Sequence, residues 1–206
     1  MANVSRPRGL SPVGTLTGAA YNEQGSLFAI ANDATNTYAI GDVVSLATTG
    51  SDANGVAYVT KMSADTGMPL GVIVGIRPAD PGTSLQGTNI DLAKIYLSQS
   101  SGLHYAYVIV DPSVVYEVQA DTYALADVGK NVGMNYTAAD TLTQFSPQSS
   151  TTAKASTVLA FSASGSLGLP LTVTGFAQRA DNAAGTAAKI LVVLNKQVFK
   201  SPVGTA

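Results

Sequence analysis

The stretch LHYAYVIVDPSVVYEVQ, residues 103–119, decides the fold class of this chain. Its first half alternates between a face with Tyr105 and Tyr107 and an opposite face with Ala106 and Val108. A β-strand repeats every two residues, because successive side chains point to opposite sides of the backbone. The first half therefore predicts a strand with two different faces.

The second half of the stretch alternates in the same way, with Val114, Tyr116 and Val118 on one face. Asp111 and Pro112 stand between the halves. They suit the first two positions of a type I turn, because the carboxylate accepts local amide hydrogen bonds and the proline ring fixes φ. The stretch predicts either a β-hairpin or a tight corner between two strands.

Short strand signals separated by turn residues continue on both sides of this stretch. They lie at residues 27–30, 41–47, 56–62, 70–76, 90–97, 131–136, 157–161, 169–176 and 190–194. Only residues 121–129, with Asp121 as N-cap and Gly129 after the last turn, favour a short helix. Roughly ten short strands with minimal helix predict an all-β fold, either a β-barrel or a β-sandwich.

Several local patterns refine this prediction. Asn54-Gly55 predicts a hairpin turn, and we prefer the turn to a calcium loop because the later ligands of such a loop are missing. Gly71 and Gly75 share a face of their strand, which favours either the close approach of another backbone or a bulge or barrel bend. The continuous apolar run at 190–194 predicts a central strand or one that a partner covers.

Composition limits the kind of protein. The chain has 206 residues, 12% of them charged, and no cysteine, so it forms one large β domain or two small ones without disulfides. A surface of small neutral side chains is unusual for a free cytosolic monomer. We expect no membrane segment, because no apolar run approaches the roughly 18 to 20 residues that cross a bilayer, and no secretory leader.

The charges are unevenly distributed. All acidic residues lie between Glu23 and Asp181. The two ends, residues 1–22 and 182–206, hold only basic charges, at Arg6, Arg8, Lys189, Lys196 and Lys200. This pattern arises either by chance at low charge density or because the ends dock on an acidic partner surface.

The apolar side chains of residues 1–20 recur with neither the helical period of 3.6 nor the strand period of 2. We therefore predict an extended N-terminal arm followed by a β-rich domain at 21–206. The polar loop at 146–152 is where this domain would divide into two lobes. Such an arm is either a disordered tail or a segment laid into a groove on another chain. The candidate partner-binding residues are Val4, Arg6, Arg8, Leu10, Val13 and Leu16.

The sequence contains no recognisable catalytic site. His104 is the only histidine and lies in a strand pattern, which is typical of a structural residue, and no nucleophile motif accompanies it. The carboxylates Asp111, Glu117 and Asp121 have no fixed separation. We therefore predict no enzyme, no cofactor and no metal, and the scattered basic residues predict no nucleic-acid binding.

Three segments together resemble the capsid decoration (cement) proteins of tailed bacteriophages. They are VSRPRGLSPVGTLTGAAYN at 4–22, YVIVDPSVVYEVQAD at 107–121 with ADVGKN at 126–131, and LPLTVTGFAQRADNAAGTAAKILVVLN at 169–195. The resemblance implies a structural protein that binds the major capsid protein on the outside of an assembled shell, in the virion, after synthesis in the host cytoplasm.

The resemblance also implies a homo-oligomer, commonly a trimer at three-fold positions or a dimer at two-fold positions, and we favour the trimer. The alternative function is a receptor-binding or carbohydrate-binding virion module, which would need exposed aromatic and acidic clusters. A virion-associated hydrolase would need His104 or a carboxylate pair in a pocket.

Overall fold

The computed structural model describes residues 3–5, 7–22, 24–30, 38–78, 96–97, 104–135, 152–153 and 169–200. In these ranges the secondary structure consists of β-strands and one short 3-10 helix, Leu125–Asp127. The all-β prediction with minimal helix is confirmed. The predicted strand at 157–161 and residues 90–95 of the predicted strand at 90–97 lie outside the described residues.

Most of the first half of the chain forms a closed β-barrel. Its strands are β2 (Ser26–Ile30), β4 (Val43–Ser51), β5 (Ala57–Lys61), β6 (Gly71–Pro78) and β8 (His104–Ile109). Neighbouring strands are antiparallel except where β2 and β5 close the barrel in parallel. A closed barrel leaves none of its strands with an unpaired edge.

A second sheet is built from both ends of the chain and its middle. In spatial order its strands are β1 (Ser11–Thr15), β9 (Val114–Gln119), β16 (Lys189–Leu194), β14 (Leu171–Phe176) and β11 (Asn131–Val132). β16 is central, and its Ile190, Val192 and Leu194 are buried. The central-strand interpretation of 190–194 is confirmed, so this run needs no partner chain to cover it.

The remaining strands form two-stranded pairs. They are β3 (Tyr38–Ala39) with β7 (Tyr96–Leu97), β10 (Thr122–Tyr123) with β15 (Gly185–Thr186), and β12 (Met134–Asn135) with β13 (Thr152–Ala153). The predicted helix at 121–129 is therefore wrong. β10 occupies its start, and only the 3-10 turn remains, where the Asp127 carboxylate accepts a 2.9 Å hydrogen bond from the Ala124 amide.

The stretch at 103–119 forms a corner and not a hairpin. β8 belongs to the barrel and β9 to the second sheet, and the strands do not pair with each other. Asp111 holds the corner, because its Oδ1 accepts hydrogen bonds from the amide and hydroxyl of Ser113 at 2.8 and 2.7 Å. The turn at Asp111, which would also suit a hairpin, thus connects a barrel strand to a strand of the second sheet.

Strand alternation divides the apolar residues between two cores. Val44, Ile73 and Val108 belong to one core, whereas their chain neighbours Val43, Val72 and Ile109 belong to the other. Val43, Val72 and Ile109 stand side by side across the barrel wall and pack with the apolar residues of the second sheet. The second sheet is therefore packed on the outside of the barrel.

The predicted lobe boundary at 146–152 stays a prediction. Residues 146–151 lie outside the described part of the chain. The passage from barrel to sheet occurs at the corner after Ile109, and the two parts share a core.

The predicted N-terminal arm is wrong from Leu10 onward. Leu10 is only 1% exposed, and its amide donates a 2.9 Å hydrogen bond to the Gly41 carbonyl. Gly41 has a φ of +94°, and a Cβ there would lie 2.5 Å from the Arg8 carbonyl oxygen. β1 then pairs with β9. This segment is a structural part of its own domain.

Both interpretations of the glycine face hold, each at a different residue. A Cβ on Gly71 would collide with the backbone carbonyl of Ile109, so Gly71 permits close approach of β6 and β8. Gly75 follows a shift in the β6–β8 register, which is a bulge.

Gly71→Ala should destabilise the protein by more than about 2 kcal/mol, because a rigid backbone cannot move away from the new methyl group. Gly175→Ala is the matched control, since its Cβ would meet only the Leu191 side chain, at 3.7 Å. Urea denaturation compares the free energies of unfolding. Equal losses in both variants would contradict the close-approach argument.

Deleting residues 2–16 should abolish cooperative unfolding, because it removes β1 and the buried Leu10, whose side chain alone contributes roughly 2 to 5 kcal/mol. Deleting residues 2–5 is the control, since it leaves both in place. Thermal melts followed by circular dichroism check the result. Cooperative unfolding after the longer deletion would show that residues 2–16 form an arm on which the fold does not depend.

Candidate binding groove

A groove of about 610 Å³ lies on the second sheet. Its walls are the N-terminal segment, strand β9 and the connection from β14 to β16. It is lined by Asn3, Val4, Arg8, Gly9, Ser11, Val13, Glu117, Val118, Gln119, Arg179, Asp181, Asn182, Ala187 and Lys189. Residues more than a hundred positions apart in sequence therefore share one surface.

The N-terminal wall is fastened to the chain's own C-terminal part. The Asn3 side-chain amide donates hydrogen bonds of 2.8 Å to the carbonyls of Ala183 and Thr186, and its Oδ1 accepts one from the Ala183 amide. Two residues further on, the Ser5 hydroxyl accepts a 3.1 Å hydrogen bond from Gln119 Nε2. These contacts hold the segment beside β9 without regular strand pairing.

The opposite wall is fixed by Asn182. Its side-chain amide donates 2.8 Å hydrogen bonds to the carbonyls of Ala177 and Lys189, and its Oδ1 accepts a 2.8 Å hydrogen bond from the Lys189 amide. One side chain thus ties the end of β14 to the start of β16. Because the loop is closed on itself, the charged side chains that it carries have a defined position.

Two carboxylates compensate the positive charge of Arg179. Its Nη2 lies 3.0 Å from Glu117 Oε1, and its Nε lies 3.6 Å from Asp181 Oδ1. Glu117 is on β9 and Asp181 is in the loop, so the guanidinium connects two walls of the groove. The exposed geometry makes each ion pair weak, on the order of 0 to 1 kcal/mol.

Lys189 lies deeper in the groove. Its Nζ donates a hydrogen bond to the neutral Gln119 Oε1. Burial lowers the pKa of Lys189, and although Glu117 raises it, the positive charges of Arg179 and Arg8 lower it further. The net pKa is below its ordinary value of 10.5, because the ammonium is partly removed from water and other cations are close to it.

Arg8 completes the set of cations. It is exposed at the rim, and within the described part of the chain its guanidinium makes no hydrogen bond or ion pair. The groove therefore combines one neutralised guanidinium with a second guanidinium that remains available.

The structure brings only some of the predicted partner-binding residues together. Val4, Arg8 and Val13 line the groove, and the two valines are 66% and 52% exposed. Leu10 is a core residue and not a contact residue. Leu16 is exposed but does not line the groove, and Arg6 lies outside the described residues.

Sequence reasoning missed the C-terminal half of the groove. Arg179 and Asp181 are not among the sequence-predicted candidates, and the sequence suggests Glu117 only as a catalytic carboxylate. The available signal was the basic bias of residues 182–206, which includes Lys189. That bias indicates a surface but does not say which distant segment lies beside it.

The residues considered for catalysis occupy separate environments. His104 pairs in the barrel with Ile30 on one side and Pro78 on the other. Glu117 contacts Arg179, whereas Asp121 accepts a hydrogen bond from Asn135. Among the residues whose placement is described, no group of three His, Asp or Glu side chains could hold a metal ion.

The segment SDANG forms a hairpin turn between β4 and β5, as predicted. Asp52 Oδ1 accepts hydrogen bonds from the amides of Asn54 and Val56 at 2.9 and 2.8 Å. Gly55 has a φ of +78°, which glycine adopts without strain. Asp52 Oδ2 accepts a 2.7 Å hydrogen bond from the Tyr105 hydroxyl, so the carboxylate has a structural role.

Fold and groove together define an all-β protein whose candidate site is a binding surface. No protein-family model, curated protein or solved structure matches the chain. The resemblance to decoration proteins therefore rests on the three sequence segments quoted above. Among the described residues, no helical segment has both the length and the apolar character of a membrane span.

The Asp52–Tyr105 contact predicts a pH-dependent stability. Burial raises the pKa of Asp52, but hydrogen bonds from Tyr105, Val56 and Asn54 outweigh burial and hold the pKa below its ordinary value of 3.8. A folded-state pKa below the unfolded one gives stability that is present above pH ~4 and is lost as the pH falls through the folded pKa. Tyr105→Phe should cost about 1.5 to 3 kcal/mol at neutral pH, and less in acid.

Tyr116→Phe is the matched control for this prediction. Tyr116 is equally buried, but its hydroxyl has no hydrogen-bond partner among the described residues. Its removal should be neutral or stabilising at every pH, because an unsatisfied buried hydroxyl is itself costly. Urea denaturation across acidic and neutral pH compares the two, and a pH-independent loss in Tyr105→Phe would contradict the role of Asp52.

Proposed function

We propose that this chain is a structural virion protein that binds the outside of a phage capsid and stabilises the shell, a decoration or cement protein. One observation carries the proposal. The three segments that resemble decoration proteins are distant in sequence, yet they supply the strands of the second sheet except for Val132. Apart from Asn3, they also supply every residue that lines the groove. A shared surface is what a common binding role would require.

The edge of the second sheet supports attachment through side chains. β1 is the edge strand next to the groove. Pro12 has no amide to donate, and a bulge interrupts the strand between Pro12 and Gly14. Both features discourage the addition of another strand. The exposed side chains of Val4 and Val13 remain as contacts, and covering a valine completely contributes roughly 1.5 kcal/mol or more.

We also propose a homo-oligomer, with a trimer favoured over a dimer, bound to the major capsid protein on the virion surface. The low charge of the chain supports it, as does the large exposed apolar side chain of Phe199, which does not line the groove. The buried run at 190–194 no longer supports it, since the chain covers that run itself.

The receptor-binding or carbohydrate-binding alternative has weaker support. Such a site would place aromatic rings on the surface, because sugars stack on exposed aromatic faces. Tyr105, Tyr116 and Tyr123 are buried, whereas Tyr107 is 38% exposed. Tyr136 lies outside the described residues. Phe199 is 61% exposed, but neither Tyr107 nor Phe199 lines the groove.

Val4→Ser combined with Val13→Ser should weaken attachment to empty capsids about tenfold, because it removes two exposed apolar contacts from the groove. Leu125→Ser combined with Val128→Ser is the matched control, since these residues are similarly exposed but do not line the groove. Co-sedimentation of protein and capsids through a gradient measures retention. Failure of the unaltered protein to bind would overturn the proposed function.

A further inference from the structure

The basic ends of the chain meet at the groove. Arg8 comes from the acid-free N-terminal segment, and Lys189 comes from the acid-free C-terminal segment. Both line the groove, and they are close enough for the charge of Arg8 to lower the pKa of Lys189. The fold thus concentrates, at one place, positive charges that the sequence separates by 181 positions.

The charge of the groove is not balanced. The lining contains the cations Arg8, Arg179 and Lys189 and the carboxylates Glu117 and Asp181. Both carboxylates contact Arg179, which leaves Arg8 as an available guanidinium beside a half-buried ammonium. An anion placed between these two cations would relieve their mutual repulsion, and a guanidinium is well suited to a carboxylate.

The remaining lining favours a protein carboxylate over a nucleic acid. Glu117 and Asp181 would repel a continuous phosphate backbone, whereas they would tolerate one acidic side chain seated beside Arg8. Val4 and Val13 are exposed and offer apolar contacts to the carbon atoms of a polypeptide.

We propose that the groove binds an acidic segment of a partner protein, with Arg8 and Lys189 paired to one of its carboxylates and Val4 and Val13 packed against its aliphatic groups. This inference rests on the proposed function in naming the capsid protein as the source of the segment. The carboxylate chemistry can be tested without capsids.

The test measures fluorescence anisotropy of the full chain with a labelled short peptide of alternating glutamate and valine. The same peptide with glutamine for glutamate is the neutral probe. We expect the acidic peptide to bind, the neutral peptide to bind at least about fivefold more weakly, and binding to weaken at about 0.5 M salt. Equal binding of both peptides, or binding of neither, would overturn the inference.

Variants connect this binding to the groove. Arg8→Gln should weaken the acidic peptide about two- to fivefold, and it should fold normally because Arg8 is exposed. Lys200→Gln is the matched control, since it removes the same charge from an exposed residue outside the groove. Combining Arg8→Gln with Lys189→Met, which keeps the aliphatic stem, should weaken binding about tenfold or more. Equal effects of Arg8→Gln and Lys200→Gln would overturn the inference.

Parallel capsid co-sedimentation separates the two proposals. If the peptide binds as expected but capsids do not, the proposed function fails and the carboxylate site stands. If capsids bind and Arg8→Gln does not weaken that binding, the acidic-segment inference fails for the capsid. Preferential binding of a labelled DNA oligonucleotide, or association of the chain with itself through the groove, would also overturn it.

Discussion

The position of β9 is the constraint on which the second sheet depends. The corner at Asp111 turns the chain out of the barrel directly into this strand, which then pairs with β1 on one edge and β16 on the other. Its Val114, Tyr116 and Val118 face the core that the sheet shares with the barrel. Because β9 is fixed on one face by packing and on both edges by pairing, the chain ends become neighbours there.

The groove depends on this proximity of the two chain ends. The groove exists because the N-terminal segment and the loop before β16 converge beside β9, where Asn3 and Asn182 hold the two walls. Neither basic end of the chain forms this surface alone. A binding site made from distant segments depends on the folded sheet, so it should be lost when the sheet unfolds.

The sequence indicates the strands well, because regular alternation reflects a sheet with two different faces, as in β8 and β9. It predicts the N-terminal segment poorly. Pro12, Gly14 and the bulge between them interrupt the alternation, so β1 has no strand pattern of its own and owes its conformation to β9. The groove is predicted only in part for the same physical reason, since long-range pairing that no local pattern encodes brings Arg179 and Lys189 into the same groove as Arg8.

The most direct test is whether β1 pairs with β9 of the same chain. Disulfide cross-linking can test this, because the natural sequence has no cysteine that would compete with two introduced ones. Ser11 and Glu117 are paired neighbours on β1 and β9, and both line the groove. A chain with Ser11→Cys and Glu117→Cys should form an intramolecular disulfide under mild oxidation, seen as faster migration on a non-reducing gel. Ser11→Cys with Val128→Cys should not. Covalent dimers in place of the intramolecular bond would show that the N-terminal segment lies on another chain, and would contradict this account.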